Sequence, residues 1–359
     1  MSILDKQFTP PPRRSHRRST IIVSIIVIVI LVIVIFTDVR NDVAFVIHFV
    51  SAPNHFTYHG HTDYVSAVAW SRDSKRIASA SGDHTVQVWD AADGSHVLTY
   101  RGHSSDVLTL AWSPDGKYIA SGSLDTTVQV WNATNGEQVF TYHGHSDAVF
   151  NVAWSPDGTR IASVGNDGSV QLWNSNTGGH VVSYKNPKSI KGGSAPWNSV
   201  AWSPDGKRLI VGGLGPAMLL DVATGNPITY FGNPGGSVHT VAWSPNGTYI
   251  ASGRDNETVE VWNVDSSKNV HTFIGHTADV NSLAWSPDGK RIVSGSADGV
   301  VMVWDALTGD HVYTYRGHAD YYWGHFTSGQ PVNAVDWSPD GKRIASGSDD
   351  TTVQVWQAM

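Results

Sequence analysis

Residues 102–131 read Gly102-His103-Ser104-Ser105-Asp106-Val107-Leu108-Thr109-Leu110-Ala111-Trp112-Ser113-Pro114-Asp115-Gly116-Lys117-Tyr118-Ile119-Ala120-Ser121-Gly122-Ser123-Leu124-Asp125-Thr126-Thr127-Val128-Gln129-Val130-Trp131, and close variants recur through most of the chain. The Trp at position 112 has counterparts at Trp70, Trp154, Trp202, Trp243, Trp285 and Trp337, giving successive spacings of 42, 42, 48, 41, 42 and 52. Within each copy apolar and polar residues alternate between turn signals, which is the pattern of short strands and has no 3.6-residue period. Ser-Pro-Asp-Gly at Ser113, Ser155, Ser203, Ser286 and Ser338 makes the first hairpin, with Ser-Pro-Asn-Gly at Ser244 and Ser-Arg-Asp-Ser at Ser71. Proline presets φ at the second turn position, Asp bonds locally, and Gly accepts φ > 0. A second turn follows the closing Trp, as in Asn132-Ala133-Thr134-Asn135-Gly136, and His96 to Tyr100 is a fourth strand. A self-similar unit of about 42 residues with four strands cannot bury its own faces and must stack on its neighbours.

The two ends of the array imply how the stack closes. The last copy stops at Trp356-Gln357-Ala358-Met359, after its third strand, whereas Asn54-His55-Phe56-Thr57-Tyr58 precedes the first copy and matches Ser95 to Tyr100. The orphan strand at 53–58 is expected to complete the last sheet and remove two exposed edges.

On these motifs residues 53–359, about 85% of the chain, resemble a seven-bladed WD-repeat β-propeller. The fold class expected is all-β, with four-stranded antiparallel blades, preceded by one N-terminal transmembrane helix. The resemblance implies a hydrogen-bonded structural tetrad in each full copy. Its members are His61, Ser79, Asp83 and Trp89; His103, Ser121, Asp125 and Trp131; His145, Ser163, Asp167 and Trp173; His276, Ser294, Asp298 and Trp304; and His318, Ser346, Asp350 and Trp356. Ser, His and Asp together could also describe an activated nucleophile. Five near-identical active sites in one ring make less physical sense than five polar networks that rigidify every blade. No catalytic residue is therefore assigned.

Copies four and five depart from the pattern. Copy four has no Gly-His, no turn Asp around Leu214-Gly215-Pro216, and Leu220 in place of the closing Trp; the loop before it, Lys185 to Trp197, is long and carries Lys188 and Lys191. Copy five has Gly232-Asn233-Pro234 for Gly-His and Asn256 for the turn Asp. With a polar network lost from each, these blades are expected to be the least stable. Copy seven carries ten extra residues between His318 and Val332, among them Tyr321, Tyr322, Trp323, His325 and Phe326, the aromatic types enriched at interface hot spots.

The resemblance further implies where a partner would sit: on the face flanking the first-strand apolar position and before the turn Asp. Here those positions hold Tyr64 and Ser66, Asp106 and Leu108, Phe150, Asn198, Ser237 and His239, Asp279 and Asn281, and Asn333, with Leu124, Asn166, Asp255 and Asp349 before the turn. Trp197 is expected to add apolar surface there. Carboxylates and amides mixed with apolar groups suit a protein or peptide segment bearing basic residues. The alternative is a carbohydrate or small ligand at the central funnel.

Composition narrows the classes further. Net charge is −7, with +4 in residues 1–20 and −11 in the remainder, so the propeller lacks the positive surface that nucleic-acid binding needs. There is no Cys, which excludes disulfides, thiolate chemistry and Cys-ligated metal; the tetrad histidines lie on separate repeats without metal-ligand spacing. No metal, cofactor or enzymatic activity is expected.

Ile21 to Phe36, IIVSIIVIVILVIVIF, holds sixteen residues with one Ser and no charge, and Thr20 and Thr37 extend it to eighteen. That length is near the minimum for a helix crossing a bilayer, where backbone groups must bond internally. Residues 1–19 read as a basic tail, 20–37 as a transmembrane helix and 38–52 as a linker. Arg13, Arg14, Arg17 and Arg18 lie before the span, and Asp38, Arg40 and Asp42 after it. The positive-inside rule places the N-terminus in the cytoplasm and the propeller outside it.

Overall fold

Every copy of the repeat folds as a four-stranded antiparallel sheet in the computed structural model, which describes residues 55–179, 182–185, 195–310, 312–318, 321–322, 325–326 and 329–358. These belong to one unit, Ala52–Met359. The basic tail, the apolar stretch 20–37 and the linker 38–52 lie outside the described residues. Among the described residues no helix is long and apolar enough to cross a membrane.

Blade 1 comprises Val65–Trp70, Arg76–Ser81, Val86–Asp90 and Leu98–Tyr100, and blade 2 comprises Val107–Trp112, Tyr118–Ser123, Val128–Asn132 and Gln138–Tyr142. The first strands of blades 3 to 6 are Val149–Trp154, Trp197–Trp202, Val238–Trp243 and Val280–Trp285. Blade 7 is assembled from both ends of the propeller: Val332–Trp337, Arg343–Ser348, Val353–Gln357 and then Phe56–Tyr58. Phe56 pairs with Val355, Thr57 with Gln354 and Tyr58 with Val353, as the chain ends implied. Each first strand touches those of its two neighbours, and the seventh touches the first, so the ring closes.

Turn chemistry follows the sequence closely. In blade 2, Gly116 adopts φ 70° and its N–H bonds to Ser113 O at 2.9 Å, while Ser113 Oγ donates to Asp115 Oδ1 at 2.6 Å. Residues with one face on their own sheet and one on the next fill the spaces between blades. In five blades the fourth-strand aromatic stacks on the closing Trp of the next: Tyr58 on Trp89 at 4.3 Å, Tyr100 on Trp131 at 4.5 Å, Tyr142 on Trp173 at 4.4 Å, Phe273 on Trp304 at 4.6 Å and Tyr315 on Trp356 at 4.5 Å. Such stacks contribute about 0.5–1.5 kcal/mol each beyond the area they bury.

One break in the ladder is common to all seven blades. Each first strand carries a register shift one residue after its opening apolar position, for example between Val65 and Ala67 and between Val107 and Thr109. A bulge of this kind leaves one residue unpaired and re-aims its side chain.

Candidate protein-interaction surface

The tetrads form as the repeat implied, with one shortfall. His103 Nδ1 lies 2.8 Å from Asp125 Oδ2, His103 Nε2 lies 2.8 Å from Ser121 Oγ, and Trp131 Nε1 donates to Ser121 Oγ at 3.2 Å. The same three contacts join His61, Asp83, Ser79 and Trp89; His145, Asp167, Ser163 and Trp173; and His276, Asp298, Ser294 and Trp304. His318 reaches Asp350 and Ser346, but Trp356 Nε1 has no partner, so the fifth network stops at the serine. The carboxylate only accepts, so a neutral imidazole donates from Nδ1 and accepts at Nε2 from the serine hydroxyl, which accepts from the indole. All five serines are fully buried, which leaves no route for a substrate to their oxygens. Burial would raise the Asp83 and Asp125 carboxyls, but the hydrogen bonds from His and Thr outweigh it and hold both well below the usual range.

The Gly before each of these histidines has a packing reason that the motif alone does not disclose. Tyr100 OH donates to Gln129 Oε1 at 2.5 Å, and Gln129 Nε2 donates to Gly102 O at 3.2 Å. A Cβ on Gly102 would strike both the tyrosine hydroxyl and the glutamine oxygen. The same link recurs with Tyr58, Gln87 and Gly60, with Tyr142, Gln171 and Gly144, and with Tyr315, Gln354 and Gly317. Burial pushes the Tyr100 phenol up to about 12, with the Asp125 charge adding to it. The signal was in the recurring Tyr-x-Gly-His and Val-Gln-Val-Trp, though not their contact.

Copies four and five did lose the tetrad, but the structure refills the space in both. In blade 4, Trp197 occupies the first-strand position where the other blades have Val, and it is buried with Leu220, Val200 and Met218 instead of lying on the surface as expected. The larger residue at one position offsets the smaller residue at the other. In blade 5, the buried guanidinium of Arg254 fills part of the space, donating to Gly235 O at 2.6 Å and lying 3.6 Å from Glu260 Oε2, but it does not reach Ser252 Oγ or Trp262 Nε1, which stay without hydrogen-bond partners among the described residues. Glu260 stands where blades 1 to 3 carry Gln, and burial raises its carboxyl against the pull of Arg254.

The seven bulged residues are Ser66, Leu108, Phe150, Asn198, His239, Asn281 and Asn333, and together they line a central cavity of about 200 Å³. The bulge is what turns them there. Four stitch the ring: Ser66 Oγ donates to Val107 O at 2.5 Å, Asn198 Nδ2 to Val238 O at 3.1 Å, Asn281 Nδ2 to Val332 O at 3.2 Å and Asn333 Nδ2 to Val65 O at 3.1 Å. Leu108 and Phe150 leave an apolar side on blades 2 and 3. At the same ends of the strands lie six carboxylates, Asp63, Asp106, Asp147 and Asp279 just before first strands and Asp255 and Asp349 just after second strands. Tyr64 OH donates to Asp106 at 2.8 Å, Ser237 N to Asp255 at 2.7 Å and Asn333 Nδ2 to Asp349 at 2.7 Å, while His239 lies 3.6 Å from Asp279. Among the described residues no Lys or Arg pairs with any of the six. Leu124 is exposed and Asn166 Nδ2 donates to Asp147 at 2.8 Å.

Seven segments, 53–90, 94–132, 136–174, 185–215, 225–263, 267–305 and 309–357, match the family described as WD domain, G-beta repeat. The chain belongs to the WD-repeat family. Members of the WD-repeat family are generally non-enzymatic scaffolds that bind other proteins. A curated relative is Transcription initiation factor TFIID subunit 5 of Caenorhabditis elegans, 40% identical over 55 residues, which are 15% of this chain and 8% of that protein.

The insertion of this WD-repeat chain folds in part as a small hairpin, Tyr321 pairing with Phe326 and Tyr322 with His325. Trp323 lies outside the described residues, as do Lys188 and Lys191. At the base of the insertion Gly329 packs so closely on Gly299 of blade 6 that a Cβ there would meet its Cα at 2.6 Å. No group of His and carboxylates among the described residues could hold a metal ion.

Proposed function

We propose that this propeller is a docking platform for a protein or peptide segment with basic residues, tethered to a membrane through residues 20–37. The observation that carries the docking reading is one end of the ring, where six carboxylates with no Lys or Arg partner among the described residues border the strands that present Leu108 and Phe150 to the cavity. Carboxylates of this kind steer and orient a cationic segment, while the apolar side supplies contact area. Tyr64, Asp106, Asp255, Asp279, Asp349 and the hairpin at 321–326 are the assigned contact residues. A partial likeness to a transcription-factor subunit accords with work done through contact with other proteins. No nucleic acid is assigned as a partner, since the acidic surface repels phosphate.

A photo-cross-linking residue at Phe150 of the full chain, expressed in cells, tests the docking reading. It should yield a discrete protein adduct that fades with Asp106→Asn and Asp349→Asn and with rising salt. Adducts formed equally well from the exposed position Ser266, on the opposite face in blade 5, would reject it. The absence of Cys gives a direct test of sidedness. A Cys placed at Thr134 should react with a membrane-impermeant maleimide on intact cells, and one placed at Ser2 should react only after permeabilisation; the reverse result would invert the orientation.

A further inference from the structure

The face opposite the cavity mouth carries the Ser-Pro-Asp-Gly turns, and there two of the seven seams depart from the rest, only one of them opening a cleft lined by the next blade's Trp. At five seams an Arg opening the second strand lies over the first-strand Trp of the next blade: Arg76 over Trp112 at 5.0 Å, Arg160 over Trp202 at 4.9 Å, Arg208 over Trp243 at 5.1 Å, Arg291 over Trp337 at 5.1 Å and Arg343 over Trp70 at 4.6 Å. At the seam of blades 5 and 6, Tyr249 stacks over Trp285 at 6.4 Å and 17°. At the seam of blades 2 and 3 the position belongs to Tyr118, and no ring contact joins it to Trp154. A cleft of about 580 Å³ opens between them instead, walled also by Pro114, Pro156, Asp157 and Arg72. Of the seven first-strand Trp only Trp112 and Trp154 are not buried, and Trp112 has Arg76 above it.

We propose that this cleft is a second binding site, one that accepts an arginine side chain from a partner protein against the open face of Trp154. The five sibling seams display the occupant: the same indole, in the same strand position, holds a guanidinium supplied by the chain itself. An indole face attracts a planar cation through its quadrupole, and guanidinium stacks there better than ammonium. The walls supply a counter-charge as well. Asp157 spends Oδ1 on its turn, accepting from Ser155 Oγ at 2.5 Å and Thr159 N at 3.0 Å, and keeps Oδ2 uncommitted. The two wall cations are already engaged, Lys117 with Asp115 at 3.6 Å and Arg72 Nη1 with Pro114 O at 3.2 Å. A proline-rich segment or a sugar would also use the aromatic wall, but proline has no side-chain donor for the open carboxylate oxygen, and a sugar hydroxyl bonds it without the charge that strengthens a guanidinium–carboxylate pair.

The test uses the full chain in detergent, labelled with 5-fluorotryptophan, with the Trp154 resonance assigned from Trp154→Phe. N-acetyl-arginine amide should shift that resonance saturably and leave the other indoles in place. N-acetyl-lysine amide, N-acetyl-proline amide and methyl glucoside serve as competing probes and should bind at least fivefold more weakly. Tyr118→Arg installs the sibling residue, so it should fold, raise the thermal midpoint and abolish the shift. Asp157→Asn should weaken the arginine probe about fivefold with the turn intact, because Asn246 makes the same turn bonds in blade 5. An absent shift, a shift that survives Tyr118→Arg, or a preference for proline or glucoside would overturn the proposal.

Discussion

Asp336 stands where the other six first strands carry Ala69, Ala111, Ala153, Ala201, Ala242 and Ala284. It sits at the seam where the ring closes and accepts from Trp70 N, in blade 1, at 2.8 Å. Desolvation raises its carboxyl from 3.8 to about 7, against the lowering effect of the Trp70 and Trp337 amides. The folded protein therefore holds this proton more tightly than the unfolded chain does. Stability from this group is complete below about pH 4, declines as pH rises toward 7, and is level above that. Asp336→Asn keeps the acceptor without the charge. Thermal unfolding should show the variant matching the parent near pH 4 and exceeding it by about 4 kcal/mol at pH 8. The tetrad carboxyls have the opposite sign, because Asp125 is held low in the folded state. Asp125→Asn should cost about 2 kcal/mol at pH 7, and the difference should shrink as pH falls below 4, where the unfolded parent's carboxyl takes up a proton that the folded one still refuses. A pH-independent difference would mean the charge plays no part.

Blades 4 and 5 show how an element compensates for a lost residue. Trp197 and Leu220 lie in one buried cluster, and a Cβ on Gly213 would come within 2.8 Å of the Trp197 ring, so the swap also needs that glycine. Trp197→Val should destabilise by about 3 kcal/mol through the cavity it opens. Adding Leu220→Trp should recover more than half of that, whereas independent sites would give additive losses in urea unfolding. In blade 5, Arg254 fastens the loop from Gly232 to Ser237 through Gly235 O. Glu260→Gln would leave the buried guanidinium without its counter-charge and should cost about 3 kcal/mol, measured the same way.

At the scale of the whole molecule, stability depends on the clasp between the two ends of the ring. The strand Phe56–Tyr58 is short, but Tyr58 stacks on Trp89 and donates to Gln87 in blade 1 while pairing with blade 7. Ser74, which replaces the usual turn glycine at φ 59°, accepts from Asp340 N at 3.1 Å through Oγ and from Arg343 Nη2 at 2.6 Å through its carbonyl. The odd turn in the first copy is thus fitted to the seventh blade. Removing residues 1–58 should lower stability by roughly 3–5 kcal/mol, the scale of losing one large buried aromatic, while Tyr58→Ala in the full chain should cost about 3 kcal/mol. An unchanged thermal midpoint after the deletion would show that the clasp does not hold the ring.

Strands, turns, repeat number and the closing role of residues 56–58 were all legible in the sequence, because each is written in spacing and turn chemistry local to one copy. The tetrads were legible for the same reason, except that Trp356 lacks its serine. The ring around the cavity was only partly so: the sequence named Leu108, Phe150, Asn198, His239, Asn281 and Asn333, but a bulge in the ladder decides that they face inward, and bulges depend on register between strands. The Trp197–Leu220 exchange, the Arg254–Glu260 pair, the seam carboxyl Asp336 and the open indole of Trp154 came only from the tertiary structure. Each joins residues of different strands or different blades, and their pairing is set by packing across a sheet or a seam that no local pattern records.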